Sequence, residues 1–131
     1  MRIVVDASAA VEVALDGKHA AELGAFFEES EEVLAPDLLV AEVVNAIWKY
    51  HEFQQVDQNT CARALDFAVG LVDTLVSGKE LYREAFLLSR LSRRPAYDMF
   101  YLALAKREDA VLLTLDAALK KIAGRQGIRV G

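Results

Sequence analysis

The chain has one cysteine, Cys61, and two histidines, His19 and His51, among 131 residues. A single thiol cannot close an internal disulfide, and with two scattered imidazoles it cannot complete a structural zinc site. Cys61 falls in a helical stretch and reads as a small buried hydrophobe. The histidines lie among polar and charged neighbours and read as surface or helix-end residues. Basic charge is also short: 15 Lys and Arg against 20 Asp and Glu leave a net charge of −5. That balance argues against a protein that coats nucleic acid with a basic face, though not against an enzyme that reaches phosphates through bound cations. No apolar run approaches the ~18 residues of a membrane span. Asp6 and Glu12 interrupt the N-terminal apolar stretch, unlike a secretory signal, so a cytoplasmic location is expected. There is no linker, repeat or low-complexity tract.

What is present is hydrophobic residue, at 54% of the chain. A chain of this length is expected to form one domain over 1–131 and to bury ~70% of its unfolded surface. The apolar excess is high for a soluble monomer, so some of it is expected to be covered by a partner or a second copy. Strand signals appear at Ile3 to Val5, Val33 to Ala35, Val111 to Thr114 and Ile128 to Val130, with a weaker one at Leu71 to Val76. Helical spacing covers Ala7–Leu15, Lys18–Ser30, Asp37–Phe53, Asp57–Val69, Lys79–Leu91, Tyr97–Lys106 and Asp116–Ala123. Strands alternating with helices imply an α/β fold: a three-layer α/β/α sandwich around a parallel sheet of four or five strands. Such folds bind ligands at the carboxyl ends of their strands.

Asp6 stands at one such end, directly after IVV, and Asp116 stands two residues beyond the Val111–Thr114 strand. Asp98 opens the apolar helix DMFYLALA. Asp6, Asp98 and Asp116 each also suit a helix N-terminus, where a carboxylate satisfies free backbone N–H groups. Glu42 does not, because it sits inside LLVAEVVNAIW with apolar neighbours on both sides. A buried, unpaired carboxylate there would cost several kcal/mol or shift its pKa, so it calls for a cation. Three acids converge on one sheet edge and a fourth can reach it. At ~5 Å and an effective dielectric of ~20, each pair would repel by roughly 3 kcal/mol. A divalent ion reverses that sign, and an oxygen-only donor set selects Mg²⁺ or Mn²⁺ over zinc.

The blocks VVDASAA, PDLLVAEVVNAIWK, YDMFYLALA and LLTLDAAL occur in this order. Together they resemble the PIN-domain ribonucleases, and specifically the VapC toxins of prokaryotic toxin–antitoxin pairs. The likeness spans nearly the whole chain. It departs at Met99-Phe100, where the family more often has a small residue directly after the aspartate. The resemblance implies that Asp6, Glu42, Asp98 and Asp116 are catalytic metal ligands, with Asp6 and Asp98 as the principal pair. Ser8, Asn45 and Thr114 would support them as partners of ligands or metal waters. It further implies hydrolysis of an RNA phosphodiester with Mg²⁺ or Mn²⁺, leaving a 5′-phosphate and a 3′-hydroxyl. Its expected partners are a cognate antitoxin that wraps the toxin and a second copy in a homodimer. Phe26, Phe27, Trp48 and Tyr50 are candidate contact residues, with the core as their other reading.

Arg90, Arg93 and Arg94 precede Asp98 and are candidate contacts to flanking RNA phosphates; their other reading is favourable termination of the preceding helix. Two different functions remain as alternatives. A catalytically silent PIN-like module would bind RNA or protein without cutting it. A phosphatase with an aspartate after its first strand would need a second acid two residues on, where this chain has Ser8.

Overall fold

The computed structural model describes residues 1–131. The strands are β1 (Arg2–Val5), β2 (Glu32–Pro36), β3 (Thr74–Val76) and β4 (Val111–Leu113). The helices are α1 (Ala7–Ala14), α2 (Ala20–Glu29), α3 (Leu38–Gln54), α4 (Gln58–Gly70), α5 (Tyr82–Ser92), α6 (Ala96–Glu108) and α7 (Ala117–Arg125), with a 3₁₀ turn over Gly78–Glu80. The four strands form one sheet in the order β3-β2-β1-β4, and every pairing is parallel. Parallel neighbours require crossovers, which the helices supply. One helical group is α1 packed against α2, α3 and α4; the other is α5 with α6, which lies on β1, β2 and β4. The expected α/β sandwich is the observed fold, with four strands in its sheet.

Ile3, Val4 and Val5 are fully buried, as are Leu112 and Leu113 in the neighbouring strand. A strand covered on both faces reads as a continuous apolar run rather than an alternating one. The register sets Val5 opposite Leu113, so the next residue of each strand, Asp6 and Thr114, leaves the sheet side by side. Strand order reverses between β1 and β4, which makes this a topological switch point, where open α/β sheets form their ligand crevice. Helix α6 buries Met99, Tyr101, Leu102, Ala103, Leu104 and Ala105. Buried on nearly every side, as a core helix is, it holds Asp98 in its first turn above that crevice.

Several boundaries differ from expectation. Ile128–Val130 makes only one bridge, Leu112 to Val130, and so is not a fifth strand. Gly127, at φ +73°, turns the chain just before it, leaving four residues to pair. The weak Leu71–Val76 signal shortens to Thr74–Val76, a sheet edge with Thr74 and Leu75 exposed. The expected Lys79–Leu91 helix divides into the 3₁₀ turn and α5. Asp37 does not cap α3: its backbone is already helical and its side chain accepts no cap bond. Cys61 is buried on α4, and His19 and His51 lie at helix ends, as read from the sequence.

Candidate functional site

Asp6 is 7% exposed and saturated with donors. Its Oδ1 accepts from Ser8 Oγ at 2.6 Å and from the Ala9 amide at 3.0 Å, and its Oδ2 accepts from the Thr114 hydroxyl. The Ala9 bond is the N-cap of α1, so capping and site-building are one arrangement. Burial raises the Asp6 pKa; hydrogen bonds from Ser8, Thr114 and Ala9 oppose that rise, and the Asp98 charge adds to it. The Ser8 and Thr114 hydroxyls also accept from amides of the β4–α7 turn. Ser8 Oγ accepts from the Leu115 amide at 3.0 Å, and Thr114 Oγ1 accepts from the Asp116 amide at 3.1 Å. Two hydroxyls thereby lace the end of β1 to the β4–α7 turn.

Glu42, half-buried on α3, accepts a 2.5 Å bond on Oε1 from the Tyr101 hydroxyl of α6. Burial raises its pKa, the phenol opposes this, and the charges of Asp98 and Asp6 push it higher. The Tyr101 phenol is correspondingly driven far above its ordinary range, by burial first and by Glu42 next. It stays protonated and serves as a donor. Tyr101 was missed by the sequence reading, although it lies three residues after Asp98 and so shares its side of the helix.

Asp98 and Asp116 form a looser pair. Asp98 lies in the first turn of α6 but caps nothing; the cap position is Pro95, which has no side-chain donor or acceptor to offer. Its Oδ2 is 3.2 Å from Arg94 Nη2, and the same nitrogen is 3.6 Å from Asp116 Oδ2. Asp116 Oδ1 meanwhile caps α7 through the amides of Ala118 and Leu119, at 2.9 and 3.2 Å. One oxygen of Asp116 therefore holds a helix and the other faces the site.

The structure thus brings together Asp6, Glu42 and Asp98, with the Asp98 charge acting on both of the others, and joins Asp116 to Asp98 through Arg94. Asn45 is exposed on α3 and lines a cleft of about 600 Å³ with Ser8 and Glu42. The bond to Glu42 comes from Tyr101, not from Asn45. Of the three arginines, only Arg94 enters the site. Arg93 is the left-handed residue that ends α5, at φ 54°, and Arg90 lies over the Phe86 ring. Both are exposed.

The donors at this crevice are hard oxygens, the set that suits a divalent cation of the Mg²⁺ or Mn²⁺ kind. Two of the carboxylates, Asp6 and Glu42, have pKa values raised by burial first and by neighbouring acidic charge second. No three His, Cys, Asp or Glu side chains are already drawn around one point as a ligand shell, and Arg94 occupies oxygens of Asp98 and Asp116. The chemistry of the donor set fits a divalent ion; closing a shell requires side-chain movement.

The PIN-domain model matches residues 3–125. A curated relative, Ribonuclease VapC3 of Pyrobaculum aerophilum, is 28% identical over 121 residues, covering 91% of this chain and 92% of that protein. Among solved structures, the crystal structure of PAE2754 from Pyrobaculum aerophilum superposes with a TM-score of 0.73 at 22% identity, covering 99% of this chain and 83% of that one. The acidic crevice thus lies in a chain that matches one family model almost from end to end, and this protein belongs to the PIN-domain family.

Proposed function

We propose that this protein is a divalent-metal-dependent endoribonuclease and the toxin of a toxin–antitoxin pair. The observation that carries the chemistry is the convergence of Asp6, Glu42 and Asp98, contributed by the end of β1, by α3 and by α6 at the sheet's switch point, with Tyr101 of α6 bonded to Glu42. The similarity to Ribonuclease VapC3 supports RNA as the substrate and an antitoxin as a partner. Asp6 and Asp98 would be the principal ligands of Mg²⁺ or Mn²⁺, with Glu42 and Asp116 completing the shell or holding a second ion. Such an ion would lower the pKa of a bound water toward neutrality and offset charge developing on the phosphoryl oxygens.

The chain's own residues orient and discriminate. Ser8, Thr114 and the Ala9 amide fix both oxygens of Asp6. Tyr101 fixes one oxygen of Glu42 and leaves Oε2 free to ligate. Neither histidine is engaged at the carboxylates, since His19 faces Glu22 and His51 bonds the Val56 carbonyl. A carboxylate of the site, rather than an imidazole, would therefore accept the proton of the attacking water. Phe53, Phe86, Leu91 and Tyr97 are 63 to 71% exposed, apolar surface of the kind an antitoxin or a second copy would cover. No helix is long and apolar enough to cross a membrane, in keeping with action on RNA in the cytoplasm.

The test is cleavage of structured RNA. Cleavage is expected with Mn²⁺ or Mg²⁺, with 5′-phosphate ends, and to be lost on chelation and in Asp6→Asn. Metal-independent cleavage, or binding without cleavage, would contradict the proposal. Phosphate release from a small phosphomonoester would point to a phosphatase instead.

A further inference from the structure

Arg94 presents three features that termination of a helix does not explain. Its guanidinium is directed into the acidic crevice, where one nitrogen reaches both Asp98 and Asp116. Its Nε is the one buried side-chain nitrogen or oxygen without a hydrogen-bond partner in the protein. An unmet buried donor is unfavourable, a cost that the pairing with the two carboxylates offsets in this pose. The backbone beside it is anchored independently. The Arg94 amide donates to the Ser89 carbonyl at 3.3 Å, and the Ser89 hydroxyl donates to the Arg94 carbonyl. The side chain can therefore leave without unmaking the turn.

Asp98 is the pivot. It raises the pKa values of Asp6 and Glu42 on one side and binds Arg94 on the other. A guanidinium is a planar, permanently charged cation with a single positive charge, whereas a divalent ion at the same oxygens brings twice that charge and repels the first.

We propose that Arg94 is a built-in competitor of the divalent ion: guanidinium and ion are alternative partners of Asp98 and Asp116, and Arg94 sets the ion concentration at which the site loads. This rests on the metal-centre reading of the preceding subsection. Before loading, Arg94 tempers the repulsion of a four-carboxylate cluster. On loading, it must swing away from Asp98.

The experiment is Mn²⁺ binding to the full chain without RNA, by calorimetry and by the rise in melting temperature, for wild type, Arg94→Gln and Arg94→Lys. Arg94→Gln removes the competing charge, and its Mn²⁺ midpoint is expected to fall on the order of 10-fold at low salt, the gap narrowing as salt screens the pair. Arg94→Lys keeps the charge but not the fork, and its midpoint is expected between the two. It also carries the comparison should Arg94→Gln fold poorly. Equal midpoints in all folded proteins would overturn the competition and leave the metal centre standing. Weaker binding in Arg94→Gln would make Arg94 a support rather than a competitor. No Mn²⁺ response in any of them would overturn both readings.

Discussion

The two halves of the crevice are built on different principles. On the β1 side, Asp6 is buried and both its oxygens are engaged by three donors fixed in strand ends and a helix start. On the α6 side, Asp98 and Asp116 are more than a third exposed and share one arginine at the end of a flexible side chain. The first half is preorganised by the fold and so is also part of its stability. In the second half, Asp98 is held by an exchangeable cation and can rearrange at little structural cost, while Asp116 offers the oxygen that its cap of α7 leaves over. A site made this way combines one fixed carboxylate with adaptable ones.

Substitutions of the leading acid on each side sharpen that contrast most. Asp6→Ala removes an N-cap, worth ~1 kcal/mol, and strips the buried Thr114 hydroxyl of its acceptor, worth another ~1–3 kcal/mol. A loss of about 2–4 kcal/mol in a urea unfolding experiment is expected. Asp98→Asn caps nothing and removes a charge that repels two others. Its unfolding midpoint should match or exceed that of wild type while RNA cleavage falls more than ~100-fold, beyond the usual cost of an outer-shell partner. An unfolded Asp98→Asn protein would show the two halves to be structurally alike.

Tyr101→Phe probes the link between the halves. It leaves Glu42 without its hydrogen bond in a half-buried position. A 10–100-fold weaker Mn²⁺ response is expected, with a stability change of only about 1 kcal/mol; an unaltered Mn²⁺ midpoint would remove Tyr101 from the site.

The smallest effect concerns pH. Asp6 and Glu42 have folded-state pKa values above their unfolded ones. The native state then holds more protons than the unfolded state between those values, so stability from these groups is present below about pH 4 and is lost as pH rises through the raised pKa values. Glu31 and Asp57 are shifted down and work in the opposite sense. The contribution is therefore read by difference: from pH 4 to 8, wild type should lose stability relative to Asp6→Asn, and saturating Mn²⁺ should cancel that loss. Parallel pH profiles would contradict the raised values.

The preorganised half is also the half that could be read from the sequence. Asp6 follows a fully apolar strand and Thr114 ends another, so local pattern alone puts both at the carboxyl edge. Glu42 stood out because its neighbours on α3 are apolar, and helical spacing then oriented it. The adaptable half was only partly legible. That Asp98 lies near a helix start was clear, but its freedom from capping depends on Pro95 occupying the cap position. Arg94 enters the crevice after the left-handed Arg93 re-aims the chain, whereas Arg90 stays on α5 over the Phe86 ring. That depends on one backbone dihedral, which no charge pattern discloses. Ile128–Val130 carried strand composition but, after the Gly127 turn, too little chain to form more than a bridge. Asp37 has the residue type of a cap, yet its own backbone is already helical.

The account stands on these carboxylates gathering around a divalent ion, and anomalous diffraction from Mn²⁺-soaked crystals tests that most directly. The expected result is a strong peak bounded by Asp6 and Asp98, within reach of Glu42 or Asp116, with the Arg94 guanidinium displaced from Asp98. No peak at the carboxyl ends of β1 and β4, or a peak only at unrelated surface acids, would contradict it.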